Sequence, residues 1–336
     1  MDNNCRIVAE IGLAHEGSLG SAIALSKAAI RAGAHIIKFQ VHHSDEESSN
    51  AEIFRTNFSR QDLTRWDYWK RTAFTRQEWL LLKTEVEAIG GVFAASVFSE
   101  YSIDLMQDIG ARILKLGSGD LNNAQLLEKL VDFDGTLLMS TGMAFESEIL
   151  EAVNWLQESS CEPDSAILQC TTKYPTPIEL VGLNVMVKIM QEYGIKSGLS
   201  DHSQGISASL MAIIQGASYI EKHVVFSHEM FGPDVSSAVT FEQLKFLRTS
   251  LDEIKVLSIP INKDDVTKNL EKTREIFGRS LALKKSFPKG HKLALEDFCL
   301  RKPSGGLKWE TRLMYEGKIL STPYRIGEIL DLSYFS

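Results

Sequence analysis

Eight short runs rich in β-branched and other apolar residues recur along the chain, at 6–11, 35–40, 91–96, 112–116, 136–141, 166–171, 195–199 and 218–224. Helical periodicity fills the gaps, most plainly at 21–32, 75–89 and 203–215, each followed by a glycine stop signal at Gly33, Gly90 or Gly216. Eight strands alternating with helices predict a closed parallel barrel of the (β/α)8 type, the TIM-barrel architecture. With 336 residues there is chain left over. The barrel is expected over 1–258, a charged linker over 259–277, and a small β-rich domain over 278–336, where turn-forming Pro-Lys-Gly, Pro-Ser-Gly-Gly and Glu-Gly sequences break short strands.

Charge narrows the function classes. The chain carries 36 Lys and Arg against 44 Asp and Glu, a net −8 that disfavours a nonspecific nucleic-acid or acidic-membrane binder. From residue 278 onward the balance is 11 against 6, which leaves 25 against 38 for the rest, so a basic module accompanies an acidic barrel. Cys5, Cys161, Cys170 and Cys299 lack CxxC spacing, giving no zinc module and no disulfide framework. The apolar stretch near the start is short and interrupted by Glu10, and no other apolar run is long enough to span a bilayer. A cytoplasmic location is expected.

In a barrel of this type, polar side chains at the carboxyl ends of strands converge on one face. The run HIIKFQ puts Lys38 and Gln40 on one parity and Phe39 on the other, so the two polar groups are expected inside. Lys115 precedes the turn Gly117-Ser118-Gly119-Asp120, which combines an ammonium with a hydroxyl and backbone N–H groups suited to phosphate oxygens. Two lysines near strand ends predict an anionic partner, because a buried ammonium is costly without one. His202 and His223 lie 21 residues apart, about one βα repeat, which suits two imidazoles on one divalent ion. Glu221 shares the parity of His223 and is expected inward, with Lys222 turned to the helix layer. Glu16 and Asp234, in loops after the first and last strands, are candidates for accepting hydroxyl hydrogen bonds from a polyol. The long polar and aromatic connection from about 41 to 74 reads as a functional loop.

The ordered segments AEIGLAHEGSLGSA, AGAHIIKFQ, LKLGSGDLNN, STGMA, CTTKYPTP, GLSDHSQG, IEKH and GPDVSSA closely resemble the bacterial sialic acid synthase family, and 279–306 resembles its C-terminal antifreeze-like (SAF) domain. The resemblance implies condensation of phosphoenolpyruvate with an N-acylated hexosamine such as N-acetylmannosamine, giving a nine-carbon 2-keto sugar acid and phosphate. It assigns Lys38, Ser96, Lys115, Ser118, Thr172 and Ser200 to phosphoenolpyruvate, and Gln40, Asn57, Tyr174, Asp234 and Lys302 to the sugar. His202 and His223 match metal ligands, the ion usually being Mn2+, with Mg2+ or Co2+ as alternatives. Glu16 and Asp120 become the candidates for proton handling, and a domain-swapped homodimer is implied. Two positions depart from the family pattern: Lys302 stands where arginine is common, with Arg301 beside it, and Thr172 stands where Asn is frequent. A Schiff-base aldolase using an inward lysine and a non-catalytic carbohydrate-binding barrel are the rival readings.

Overall fold

A computed structural model describes residues 5–49, 51–54, 56 and 58–335. It divides into two compact units, 1–258 and 259–336. In the first, β1 (Arg6–Gly12), β2 (Ile36–Val41), β3 (Val92–Val97), β4 (Ile113–Leu116), β5 (Thr136–Ser140), β6 (Ala166–Cys170), β7 (Ser197–Asp201) and β8 (Tyr219–Val225) pair in sequence order. β8 returns to pair with β1, so the parallel sheet closes into the expected (β/α)8 barrel. A two-residue strand, β9 (Val239–Thr240), extends β8 beyond it. The observed strands lie within two residues of the expected bounds at nearly every end; the seventh runs on to Asp201 because Ser200 and Asp201 are polar only in their side chains and keep the ladder.

Alternation of side chains explains the two cores. Residues of one parity, including Val8, Ile36, Ala94, Ile113, Leu138 and Leu168, fill the barrel interior. Those of the other parity, such as Ile7, Phe39, Phe93, Leu114 and Leu199, pack against the surrounding helices. Gly198 allows β7 and β8 to approach, since a Cβ there would lie 2.2 Å from the Tyr219 carbonyl oxygen. Helix ends are locally encoded: Ser18 caps the helix Leu19–Arg31, and Thr75 with Glu78 forms a capping box on Arg76–Ala88.

Between β2 and the helix Arg76–Ala88 the connection contains two further helices, Ser44–Glu47 and Arg65–Thr72. Its Phe54, Phe58, Tyr68 and Trp69 pack with Leu13 as a separate apolar cluster. Asn57 lies outside the described residues.

The second unit has its own core, including Leu281, Leu283, Phe287, Leu293 and Phe298, around an antiparallel pair, β10 (Ser280–Leu283) and β11 (Phe298–Arg301). The segment read as a linker carries two helices, Lys263–Lys268 and Glu271–Phe277, which belong to this unit. Lys302 Nζ sits 4.7 Å over the Phe277 ring, while Arg301 Nη2 donates to the Lys284 carbonyl.

Candidate active site

At the carboxyl ends of the barrel strands a cavity of about 490 Å³ opens, within the range of small-molecule sites. Lys38, Gln40, Ser96, Lys115, Ser118, Asp120, Thr172, Tyr174, Ser200, His202, His223 and Asp234 all line it. Residues distant in sequence meet here because each ends a strand or begins the loop after one.

The floor is an alternating charge cluster. Glu10 on β1 is in register with Lys38 on β2, and Lys38 Nζ lies 2.7 Å from its carboxylate, 2.7 Å from Ser96 Oγ and 3.6 Å from Glu221. Lys115 pairs with Glu221, which also accepts from Ser200 Oγ at 2.9 Å. Burial favours a neutral Lys38 amine, but Glu10 and Glu221 outweigh it and keep the ammonium protonated to higher pH than usual. Burial likewise opposes ionisation of Glu221, yet Lys115 and Lys38 hold its carboxyl well below the ordinary range. The lysines expected to await an anion therefore have carboxylate partners already. Each ammonium has three N–H groups, which leaves Lys115 capacity for a further acceptor.

Glu10 was not among the residues singled out in the sequence, although its parity with Val8 on a strand otherwise buried and apolar was the available signal. Glu221 is inward and Lys222 outward as expected: Lys222 Nζ lies 3.2 Å from Asp201 Oδ2, both fully buried.

Beside this cluster, at the ends of β7 and β8 and with His223 in register with Glu10, the His202 and His223 rings are 5.7 Å apart, and Tyr174 packs on His202 at 4.1 Å. His202 Nδ1 faces the Thr171 carbonyl oxygen at 3.2 Å, which makes Nδ1 the donor and leaves the Nε2 lone pair available. Burial, with His223 adjacent, pushes the basicity of His202 down to about 3, so the ring is neutral, as metal ligation requires. Among the described residues no group of three or more His, Cys, Asp and Glu side chains is arranged around a metal position. Two imidazoles fit an open divalent site completed by water or substrate, not a closed structural one. Cys170 Sγ, 3.5 Å from His202 Nδ1, belongs to the same wall and was not singled out in the sequence.

The Gly-Ser-Gly-Asp turn closes through the Asp120 N–H to Gly117 O bond at 3.0 Å. Burial raises the Asp120 carboxyl above its usual range, with Glu47 adding to the rise and Asn123 and His42 opposing it. Gly142 brings two hydroxyls together: a Cβ at that position would lie 2.1 Å from Thr172 Oγ1 and 2.3 Å from Ser118 Oγ. Thr172 Oγ1 and Ser140 Oγ are buried with no hydrogen-bond partner among the described residues, an arrangement that is costly without a ligand or water to satisfy them.

Glu16 stands just behind the cavity lining: its carboxylate accepts from Tyr68 Oη at 2.6 Å and from Arg71 Nη2 at 3.1 Å. It braces Tyr68, which does line the cavity and which no sequence motif marked. The sites of Arg71, Asp62 and Glu16 form one ion-pair group holding this loop.

A (β/α)8 barrel whose strand-end cavity gathers two lysines, two carboxylates and two histidines defines an enzyme-like site. Residues 25–259 match the NeuB family, so the chain belongs to that family. It is 29% identical to the N,N'-diacetyllegionaminic acid synthase of Campylobacter jejuni over 96% of this chain and 98% of the relative. It is 27% identical to the N-acetylneuraminate-9-phosphate synthase of Drosophila melanogaster, over 96% of this chain and 93% of the relative. Among solved structures, the N-acetylneuraminic acid synthetase of Leptospira borgpetersenii superposes with a TM-score of 0.69 at 29% identity, covering 81% of this chain and 92% of that one. No helix among the described residues is long and apolar enough to cross a membrane.

Proposed function

We propose that this protein condenses phosphoenolpyruvate with an N-acylated hexosamine to form a nine-carbon 2-keto sugar acid and inorganic phosphate. The observation that carries the reading is one cavity that gathers Lys38 and Lys115, flanked by Glu10 and Glu221, with His202 and His223. Lys38, Lys115 and the hydroxyls of Ser96, Ser118 and Ser200 would grip the phosphate and carboxylate of phosphoenolpyruvate and orient its C3. Thr172, at the junction with Ser118, belongs to the same grip. Tyr174, Gln40 and Asp234 line the side left for the sugar.

His202 and His223 are the residues that would hold a divalent ion, Mn2+ being the first choice, and such an ion supplies Lewis-acid polarisation of the sugar aldehyde. C3 of the enol forms the new C–C bond to that carbonyl carbon, water adds to C2, and phosphate departs by C–O cleavage. Asp120, whose carboxyl keeps its proton to higher pH than usual, is placed to handle protons at C2 or on the attacking water. Glu16 is left with the bracing of Tyr68. The protonated, paired state of Lys38 counts against a Schiff-base aldolase, which needs a free amine. We further propose a domain-swapped homodimer in which Lys302 or Arg301 of one chain serves the sugar side of the other. Sedimentation as a monomer would reject that arrangement.

The test is phosphate release from phosphoenolpyruvate with a panel comprising N-acetylmannosamine and diacetamido-deoxy hexoses of the legionaminate and pseudaminate types. Release of phosphate with formation of the nine-carbon acid supports the reading. Silence with the whole panel in the presence of Mn2+, or trapping of pyruvate on a lysine by borohydride, rejects it.

A further inference from the structure

His42 follows β2 directly, two residues beyond Gln40, at the start of the connection that the sequence marks as a functional loop. Its ring is nearly parallel to Trp69, at 4.4 Å and 11°, and to Phe98, at 4.3 Å and 6°. Nδ1 lies 3.0 Å from each oxygen of Glu47, and Nε2 lies 3.2 Å from Gln40 Oε1. The Gln40 amide cannot turn to relieve this contact, because its Nε2 donates to Glu10 Oε1 at 2.9 Å and the reverse orientation would set oxygen against carboxylate. Both ring nitrogens therefore face acceptors. A neutral imidazole has one N–H, whereas two acceptors require two. The His42 and Glu47 side chains are only 6% and 5% exposed, so an unmade bond here is costly, and flanking aromatic faces favour a cation between them.

We infer that His42 is an imidazolium, held by Glu47, and is the positioning residue that locks the Gln40 amide so that its remaining N–H and lone pair meet the acceptor sugar in one fixed sense. The inference rests on the proposed synthase reading for the role of Gln40. The other titratable groups that feel the ring are Asp120 and His15, while Arg65 stacks on Trp69. The result is one hydrogen-bonded and ionic chain from Glu47 through His42, Gln40, Glu10 and Lys38 to Glu221, so the sugar side and the phosphoenolpyruvate side are physically joined.

Two measurements on the full chain test it. Long-range 1H–15N spectra, with His42 assigned by its disappearance in His42→Phe, should show both ring nitrogens carrying a proton at pH 7.5. In steady-state kinetics with the sugar that the phosphate-release panel identifies, His42→Phe should raise the sugar KM about tenfold while the phosphoenolpyruvate KM stays within about twofold. A ring with a single proton at pH 7.5, the other residing on Glu47, overturns the inference, as does an equal rise in both KM values. Absence of turnover by the unmutated chain would instead remove the parent reading and with it the role assigned to Gln40. Should His42→Phe fail to fold, His42→Gln serves for both the assignment and the kinetic comparison.

Discussion

Glu10 and Lys38 face one another across neighbouring strands, 2.7 Å apart and almost wholly withdrawn from water, with Glu221 on Lys38's far flank at 3.6 Å. Such a pair is weak as a source of net stability, because desolvation offsets much of the attraction, but removal of one partner strands a buried charge.

Glu10→Ala is therefore expected to destabilise the fold by about 3 kcal/mol, the cost typical of leaving one half of a buried pair. Urea denaturation with an unchanged midpoint and slope would show that Lys38 finds full compensation from Glu221.

Lys115→Ala should raise the phosphoenolpyruvate KM at least about tenfold and leave the sugar KM nearly unchanged, since it removes a charge-assisted donor from one substrate alone. Equal effects on the two KM values would contradict the division of the cavity.

Mn2+ should raise the Tm of the unmutated protein and lose that effect in His223→Ala, while circular dichroism of the variant stays native. Ligand-linked stabilisation follows from binding to the folded state alone, so this readout needs no turnover. Equal Mn2+ stabilisation of both proteins would place the ion elsewhere.

Gly142→Ala places a methyl 2.1 Å from Thr172 Oγ1 and 2.3 Å from Ser118 Oγ. Both hydroxyls must move, and the expected consequence is a phosphoenolpyruvate KM raised about tenfold with the sugar KM spared. Unaltered kinetics would remove these hydroxyls from the anion grip.

His15 gives stability a pH dependence. Burial, aided by the charge of His42, lowers its pKa to about 4 from 6.5, so the unfolded chain takes up a proton that the folded chain refuses. The contribution is complete above pH 6.5 and is lost as pH falls toward 4, the loss reaching about 2 kcal/mol at pH 5. His15→Asn can still accept the Gly17 N–H, made by His15 Nδ1 at 3.1 Å, but does not titrate. Its unfolding free energy should vary less between pH 7 and pH 5; the same slope as the parent would refute the assignment.

Strand parity alone oriented Lys38, Gln40, Glu221 and Lys222, because alternate side chains point to opposite faces and Phe39 packs against the helices, which turns Lys38 and Gln40 inward. The eightfold alternation of strand and helix patterns determined the closed barrel, and the spacing of His202 and His223 placed them at neighbouring strand ends. Glu10 was legible by the same parity but was hidden among apolar neighbours. What parity cannot encode is which side chains meet across the barrel or from a loop. Only the tertiary structure paired Lys38 with Glu10 and Lys115 with Glu221, drew Glu16 away to Tyr68 and Arg71, and sandwiched His42 between Trp69 and Phe98. Those contacts join residues separated by up to about a hundred positions, and their partners are selected by barrel closure and loop packing, which no local pattern in the chain contains.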